Sequence, residues 1–195
     1  MANITESSAA AQKRKSLQKE TTAAEISREN TPDSAVVEHL QRQVANALVL
    51  YLNYKHYHWQ TYGPMFRDLH LLFDEFAKAV LDTLDEFAER VRMIGQDPIA
   101  SPQEMLSAAS VKVAEQGQSM RQMIQEADTN LLTVIKEMRA AVRAADEHDD
   151  PGTVERVELS EQNMRRMYAL MDTVVDRYFP VIDALEDDLE KIEEH

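Results

Sequence analysis

Four side chains that could bind a metal ion occur in one segment as two pairs, each pair four residues apart. His70 is followed by Asp74, and Asp85 is followed by Glu89. Residues four apart lie on the same face of an α-helix, and imidazole and carboxylate groups are common metal ligands. Cysteine is absent, which excludes thiolate metal sites, disulfides and cysteine nucleophiles. The spacing therefore predicts metal chemistry on a helix.

The angular positions of these residues predict which way the metal-binding face points. With His70 at 0° and 100° per residue, the other three fall at about 40°, 60° and 100°. The large apolar residues of the segment fall at about −40° to −120°, the face expected in the core. They are Phe73, Phe76, Val80, Leu84, Phe87, Val91 and Ile94. None of the six histidines lies in a Glu-x-x-His motif, the usual signature of a di-iron site inside a bundle. The metal-binding face should thus point away from its own subunit's core.

A two-fold axis can join the two pairs. His70 and Asp85 are separated by roughly 22 Å along a helix, so one chain cannot bring both to the same ion. If two copies of the helix cross antiparallel near residues 79–80, the 70/74 pair of one copy faces the 85/89 pair of the other, and two identical sites form. Ala77 and Leu81 lie near this crossing, where alanine permits close approach. His58, near the end of the preceding helix, could reach the same site.

Four long amphipathic helices must position these residues, which predicts an all-α bundle. The predicted helices run from Asp33/Ser34 to about Gly63, from about Arg67 to Ile94, from near Ser119, and from Asp150-Pro151 to a point before Pro180. About 24 residues separate helices two and three, a length that suits a crossover to a parallel neighbour. Within this crossover, residues 101–104 (SPQE) form a capping box with proline at N1 and predict a short extra helix.

The predicted domain organisation has three parts. Residues 1–34 are polar, with five basic and five acidic side chains, and are expected to be a mobile tail with a basic cluster at 13–19. Residues 35–180 form the bundle, and residues 181–195 form an acidic tail. The whole net charge of −14 therefore lies on residues 35–195. This balance argues against coating of DNA and suits a protein that attracts cations.

No apolar run approaches the length needed to span a bilayer, and the N-terminus lacks the apolar core of a signal peptide. We therefore expect a cytoplasmic protein without membrane association.

The segment from Tyr51 to Arg90 resembles the Dps family, the mini-ferritins called DNA-binding proteins from starved cells. The matching pattern is His58-Trp59, Gly63, Phe66, His70, Asp74 and then DEFAER at 85–90. The sequence YLNYK…HW…TYGPMFRDLHLLF, within residues 51–73, is most similar to that of cyanobacterial-type members. The resemblance is strong over 45–95, extends as general architecture over 35–180 and does not include the tails.

This resemblance implies a ferritin-like four-helix bundle that assembles into a hollow dodecamer. The implied ferroxidase ligands are His58, His70 and Asp74 of one subunit with Asp85 and Glu89 of its two-fold mate, holding two irons per site. The implied reaction oxidises Fe(II), preferably with hydrogen peroxide, and stores ferric mineral in the cavity. Trp59 would quench stray oxidants in the family's manner, or it is an amphipathic ring at an interface.

Other interpretations stay open. The acidic corner of residues Asp146, Glu147, Asp149, Asp150 and Glu155 is either a lining of three-fold pores or a solvated turn. A structural protein that binds the nucleoid and protects DNA is the main alternative. It rests on the basic cluster alone, and the zero net charge of the tail argues against it. An oligomeric scaffold without chemistry is the other alternative.

Overall fold

Five α-helices make up the part of the chain that a computed structural model describes, residues 34–63 and 65–193. They are α1 (Ser34–Gln60), α2 (Phe66–Met93), α3 (Pro102–Ala108), α4 (Met120–Glu147) and α5 (Pro151–Glu193). No strand occurs in these residues. The predicted all-α fold, with its short extra helix in the crossover, is confirmed.

Capping residues set the predicted helix ends. Ser119 accepts the backbone N–H of Gln122, whose side chain returns the bond in a complete capping box at the start of α4. Ser101 accepts the N–H of Glu104 at the start of α3. Gly95 takes φ +83° after α2, where the left-handed conformation lets Gly95 and Gln96 donate back to Arg92 and Val91.

The prediction that the last helix stops before Pro180 is wrong, because α5 continues through this residue to Glu193. Proline removes one backbone donor, and contacts on both sides of it join α5 to α4. The Arg121 guanidinium lies 4.3 Å from the ring centroid of Phe179 and forms an ion pair with Asp183. Residues 181–193 therefore extend the last helix. The predicted mobile tail, residues 1–34, lies outside the described residues apart from Ser34.

Side-chain pairs fix the directions of the four long helices. Hydrogen bonds join Tyr57 to Glu126 and Asn46 to Glu137. Because the later residue of α1 pairs with the earlier residue of α4, the two helices are antiparallel. The short turn between α1 and α2 makes those two antiparallel as well, so α2 and α4 are parallel, and they lie diagonally across the bundle, each beside α1 and α5. The long crossover therefore joins two parallel helices, as predicted, but the prediction that these helices are neighbours is wrong, because α1 and α5 lie between them.

Three buried asparagines bind the crossover to the groove between α1 and α4. Asn53 donates to the Lys112 carbonyl and accepts from the Ala114 N–H. Asn130 makes the same two kinds of bond with the Lys112 backbone, and Asn46 accepts from the Ser110 N–H. These side chains satisfy backbone groups that have no helix of their own.

Within the described residues, no helix combines the length and the apolar character needed to cross a membrane.

Candidate metal centre

Two of the predicted ligands, His58 and His70, lie against each other where α1 ends and α2 begins. Their rings stack with centroids 3.6 Å apart and planes 23° apart. His58 Nδ1 donates to the His70 carbonyl oxygen at 2.7 Å, and His70 Nδ1 donates to the His58 carbonyl oxygen at 2.9 Å. Both imidazoles are half-buried. The pair is therefore fixed in position by the backbone of its own chain.

The two reciprocal bonds also fix the protonation pattern of the rings. A carbonyl oxygen only accepts, so each Nδ1 carries the proton. In the neutral ring this leaves Nε2 with its lone pair, the form in which histidine binds a metal. Backbone carbonyls that orient the second ring nitrogen are a common support of metal-binding histidines. The arrangement can therefore present two imidazole nitrogens to a cation.

Asp74 lies one helical turn after His70 and is held by two ammonium groups. Its Oδ1 accepts from Lys55 Nζ at 2.8 Å, and its Oδ2 accepts from Lys78 Nζ at 2.6 Å. The hydrogen bonds from Lys55 and then Lys78 hold the pKa of the Asp74 carboxyl well below its ordinary value. The carboxylate is thus ionised, and any metal ion that binds it competes with two cations.

Asp85 and Glu89 lie farther along α2, and both are exposed. Within the part of the chain that the structure describes, neither carboxylate has a hydrogen bond or ion pair. The next residue, Arg90, is tied to the start of α5: its Nη2 donates to Asp150 at 2.5 Å and its Nε donates to Thr153 Oγ1 at 2.8 Å. The end of α2 that carries the two free carboxylates is therefore anchored by the Arg90 side chain, while the Asp85 and Glu89 side chains are exposed.

The structure brings together some of the predicted ligands and not others. His58 and His70 meet, Asp74 follows on the next turn, and the 85/89 pair stays apart because both pairs lie on one continuous helix. Over residues 34–63 and 65–193, no three histidine or carboxylate side chains converge where they could hold a metal ion. The predicted ligands of one chain therefore lie in two separate groups, which we call the histidine half-site and the carboxylate half-site.

The face between the half-sites is only partly as expected. The predicted core face is correct: Phe73, Val80 and Phe87 are buried. Ala77, expected at the crossing between subunits, is instead 1% exposed and packs in its own subunit's core. Leu81 is 45% exposed, as that crossing requires. The prediction for Ala77 is wrong because its angular position on the helix borders the core face, where the bundle covers this small side chain.

Sequence reasoning missed three residues that shape the site. Lys78 could have been found, since it stands four residues after Asp74 on the same face. Lys55 and Arg90 gave no such signal, because their partners Asp74 and Asp150 lie 19 and 60 residues away. Only the fold makes these contacts.

The acidic corner contains one residue that is not free to attract cations. Asp150 accepts the Thr153 backbone N–H and hydroxyl at the start of α5, in addition to Arg90. Burial works to raise the pKa of the Asp150 carboxyl, but the bonds from Thr153 and the Arg90 charge outweigh it and hold the pKa below its ordinary value. Asp150 is therefore a capping residue, and the other four carboxylates of the corner are exposed.

Comparison with known proteins agrees with this fold. Residues 37–158 match the family model described as Ferritin-like domain. The "DNA protection during starvation protein" of Brevibacillus brevis is 33% identical over 137 residues, which cover 70% of this chain and 92% of that relative. "DNA protection during starvation protein 1" of Deinococcus radiodurans is 37% identical over 121 residues, covering 62% of this chain and 58% of that relative. The structure of Dps from Thermosynechococcus elongatus has a TM-score of 0.70 and 38% identity, with 80% of this chain and 93% of that chain covered.

The four-helix bundle and the family match define a ferritin-like protein. Within that class, the chain belongs to the Dps mini-ferritin family, as its sequence motif predicts.

Proposed function

We propose that this protein oxidises Fe(II) at sites shared between two copies of the chain and stores the ferric product inside a hollow dodecamer. Each site combines His58, His70 and Asp74 of one subunit with Asp85 and Glu89 of its two-fold mate. Two irons bind in each site as substrate. The relatives named for DNA protection and the ferritin-like bundle favour iron storage and protection from oxidants.

The observation that carries the proposal is the reciprocally bonded pair of His58 and His70. Two imidazoles whose Nδ1 atoms are both occupied by backbone carbonyls are prepared for metal binding and have no evident structural need for their Nε2 atoms. The missing ligands lie on the same helix at a distance that only a second, antiparallel copy can close.

Charge and exposed apolar groups favour the same contact. The histidine half-site carries Asp74 with two lysines, for a net charge of +1, and the carboxylate half-site carries −2 from Asp85 and Glu89. An antiparallel contact brings these opposite charges together twice. Several large apolar side chains on α1, α2 and the turn between them are left uncovered by the single chain, which indicates an interaction surface. They are Leu52, Trp59, Tyr62, Phe66, Leu71 and Leu81.

A site for two irons explains why peroxide is the proposed oxidant. Hydrogen peroxide needs two electrons to become two waters, and two Fe(II) ions supply one each. Paired oxidation therefore avoids release of the hydroxyl radical. Carboxylates that bind Fe(II) and release Fe(III) to a mineral must hold the metal loosely, and the lysines that compete for Asp74 help to do so.

The test measures Fe(II) consumed per hydrogen peroxide, hydroxyl radical by spin trapping, and native mass. We expect two irons oxidised per peroxide, little radical, and the mass of a dodecamer of the 22.3 kDa chain. Radical yields equal to those of free iron, or a monomer with full activity, would refute the proposal. Parallel runs with oxygen give the oxidant preference.

A second candidate function, DNA protection by direct binding, has one sequence observation in its favour. Residues 13–19 contain Lys13, Arg14, Lys15 and Lys19, and two relatives are named for DNA protection. Gel retardation at several salt concentrations, with and without residues 1–34, tests it. Salt-sensitive retention that disappears with the segment would support this candidate.

A further inference from the structure

Tyr57, the residue before His58, is a buried phenol bonded to a buried carboxylate. Its hydroxyl donates to Glu126 Oε1 at 2.7 Å, across the interface of α1 and α4. Tyr57 is 0% exposed and Glu126 is 8% exposed. The second oxygen of Glu126 lies 3.6 Å from Lys112 Nζ, which is at the surface. The pair is thus shielded from water on the tyrosine side and reaches solvent on the lysine side.

A neighbouring tyrosine provides the contrast. Tyr54 lies one turn earlier on α1, is also 0% exposed and contacts the same Phe73 ring as Tyr57 does. Its hydroxyl is buried without a partner among the described residues. Burial raises the pKa of both phenols, and the hydrogen bond to Glu126 raises that of Tyr57 further. Of these two buried phenols, only Tyr57 has a proton acceptor within hydrogen-bond distance among the described residues.

This difference decides which phenol can lose an electron. Removing an electron from a phenol turns it into a strong acid, and a charged phenol radical in an apolar core is costly. Oxidation is therefore feasible only if the proton leaves at the same time to a base within hydrogen-bond reach. Glu126 is such a base for Tyr57, whereas Tyr54 has none.

We propose that Tyr57 is an internal electron donor that completes the reduction of peroxide when a site holds one iron instead of two. This inference rests on the proposed iron oxidation. One Fe(II) supplies one electron and Tyr57 supplies the other, so hydrogen peroxide and two solvent protons become two waters. Iron becomes Fe(III), the Tyr57 proton moves to Glu126 Oε1, and a neutral tyrosyl radical remains. No hydroxyl radical leaves the site.

The position of Tyr57 suits this task. Consecutive Cα atoms are about 3.8 Å apart, so the donor is one peptide from the metal-binding His58. Its ring lies 5.3 Å from Phe73, which stands between His70 and Asp74 on α2. The radical would therefore form inside the bundle, away from the cavity and from any DNA outside.

The test uses intact shells loaded with less than one Fe(II) per site, mixed with peroxide and frozen for electron paramagnetic resonance. We expect a tyrosyl signal that falls at least tenfold in Tyr57→Phe and persists in Tyr54→Phe. Glu126→Gln removes the proton acceptor but keeps the shape and should also lose the signal. In Tyr57→Phe, spin-trapped hydroxyl radical should rise at low iron loading and stay low at two irons per site.

Two further measurements keep the test decisive. Ring-deuterated tyrosine in the unaltered protein should narrow the signal, whether or not a variant folds. Iron oxidation is followed optically in the same samples. Absence of oxidation refutes the proposed function, whereas normal oxidation without a Tyr57-dependent signal refutes this inference alone. A signal that disappears in Trp59→Phe instead would assign the donor to the exposed tryptophan and also overturn the inference.

Discussion

The two predicted half-sites differ in their kinds of ligand and in how far the single chain holds those ligands in place. At the histidine end, each imidazole is held by the other residue's carbonyl and Asp74 is held by two lysines. At the other end, Asp85 and Glu89 are exposed and have no partner among the described residues. A site works best when its ligands are already in place. The comparison teaches that the chain itself organises the histidine end, and it agrees with our proposal that a second copy completes each site.

The most severe test of this comparison separates the two half-sites into different subunits. One variant carries His58→Ala and His70→Ala, and the other carries Asp85→Ala and Glu89→Ala. Alone, each should lose iron oxidation by roughly 100-fold or more, because even an outer partner of a ligand contributes 10–100-fold.

Mixing these variants should restore activity. In a mixed dimer, one site receives intact histidines and intact carboxylates, and the other lacks both, so about half the sites in each mixed dimer should work. Stopped-flow oxidation of Fe(II) on verified mixed assemblies measures this. No rescue would mean that the half-sites do not face each other.

A moderate effect is expected from Arg90, which anchors the carboxylate end of α2. Arg90→Ala removes bonds to Asp150 and Thr153 and should lower the free energy of unfolding by about 1–3 kcal/mol, as expected for hydrogen bonds to a charged group. Arg92→Ala is the matched control, because its ion pair with Asp97 is exposed; a change of less than about 0.5 kcal/mol is expected. Urea unfolding at a fixed subunit concentration provides the comparison.

The effect of Arg90 should also depend on pH. The pKa of Asp150 is lower in the folded chain than its ordinary 3.8, so the folded state binds fewer protons and the stabilisation is present above about pH 4. It should be lost as the pH falls through the folded-state pKa. An Arg90→Ala penalty that grows below pH 4 would contradict the assigned ion pair.

The smallest effect is expected at the histidine end, where Lys55 competes with a metal for Asp74. Lys55→Gln should tighten binding of redox-inert Zn²⁺ by up to about fivefold, the range expected for a partly exposed ion pair. Lys78→Gln should change it less, since Lys78 is much more exposed. Isothermal titration of the assembled protein measures both. Weaker binding in Lys55→Gln would mean that this lysine positions Asp74 instead of competing for it.

The sequence by itself determined the elements and the candidate ligands, because these depend on local patterns. The 3.6-residue periodicity predicts the four long helices, and the capping box at residues 101–104 predicts the short one. The i, i+4 spacing of His70/Asp74 and Asp85/Glu89 selects the ligand face. All of these are interactions within a few residues, which a linear chain displays directly.

The tertiary structure alone decided what lies far apart in sequence. It paired His58 with His70, gave Asp74 to Lys55, and joined Tyr57 to Glu126, 69 residues away. It also extended α5 past Pro180, where Arg121 of α4 contacts both Phe179 and Asp183. Such contacts depend on the register of packed helices, and no local pattern specifies which long side chains will meet across it.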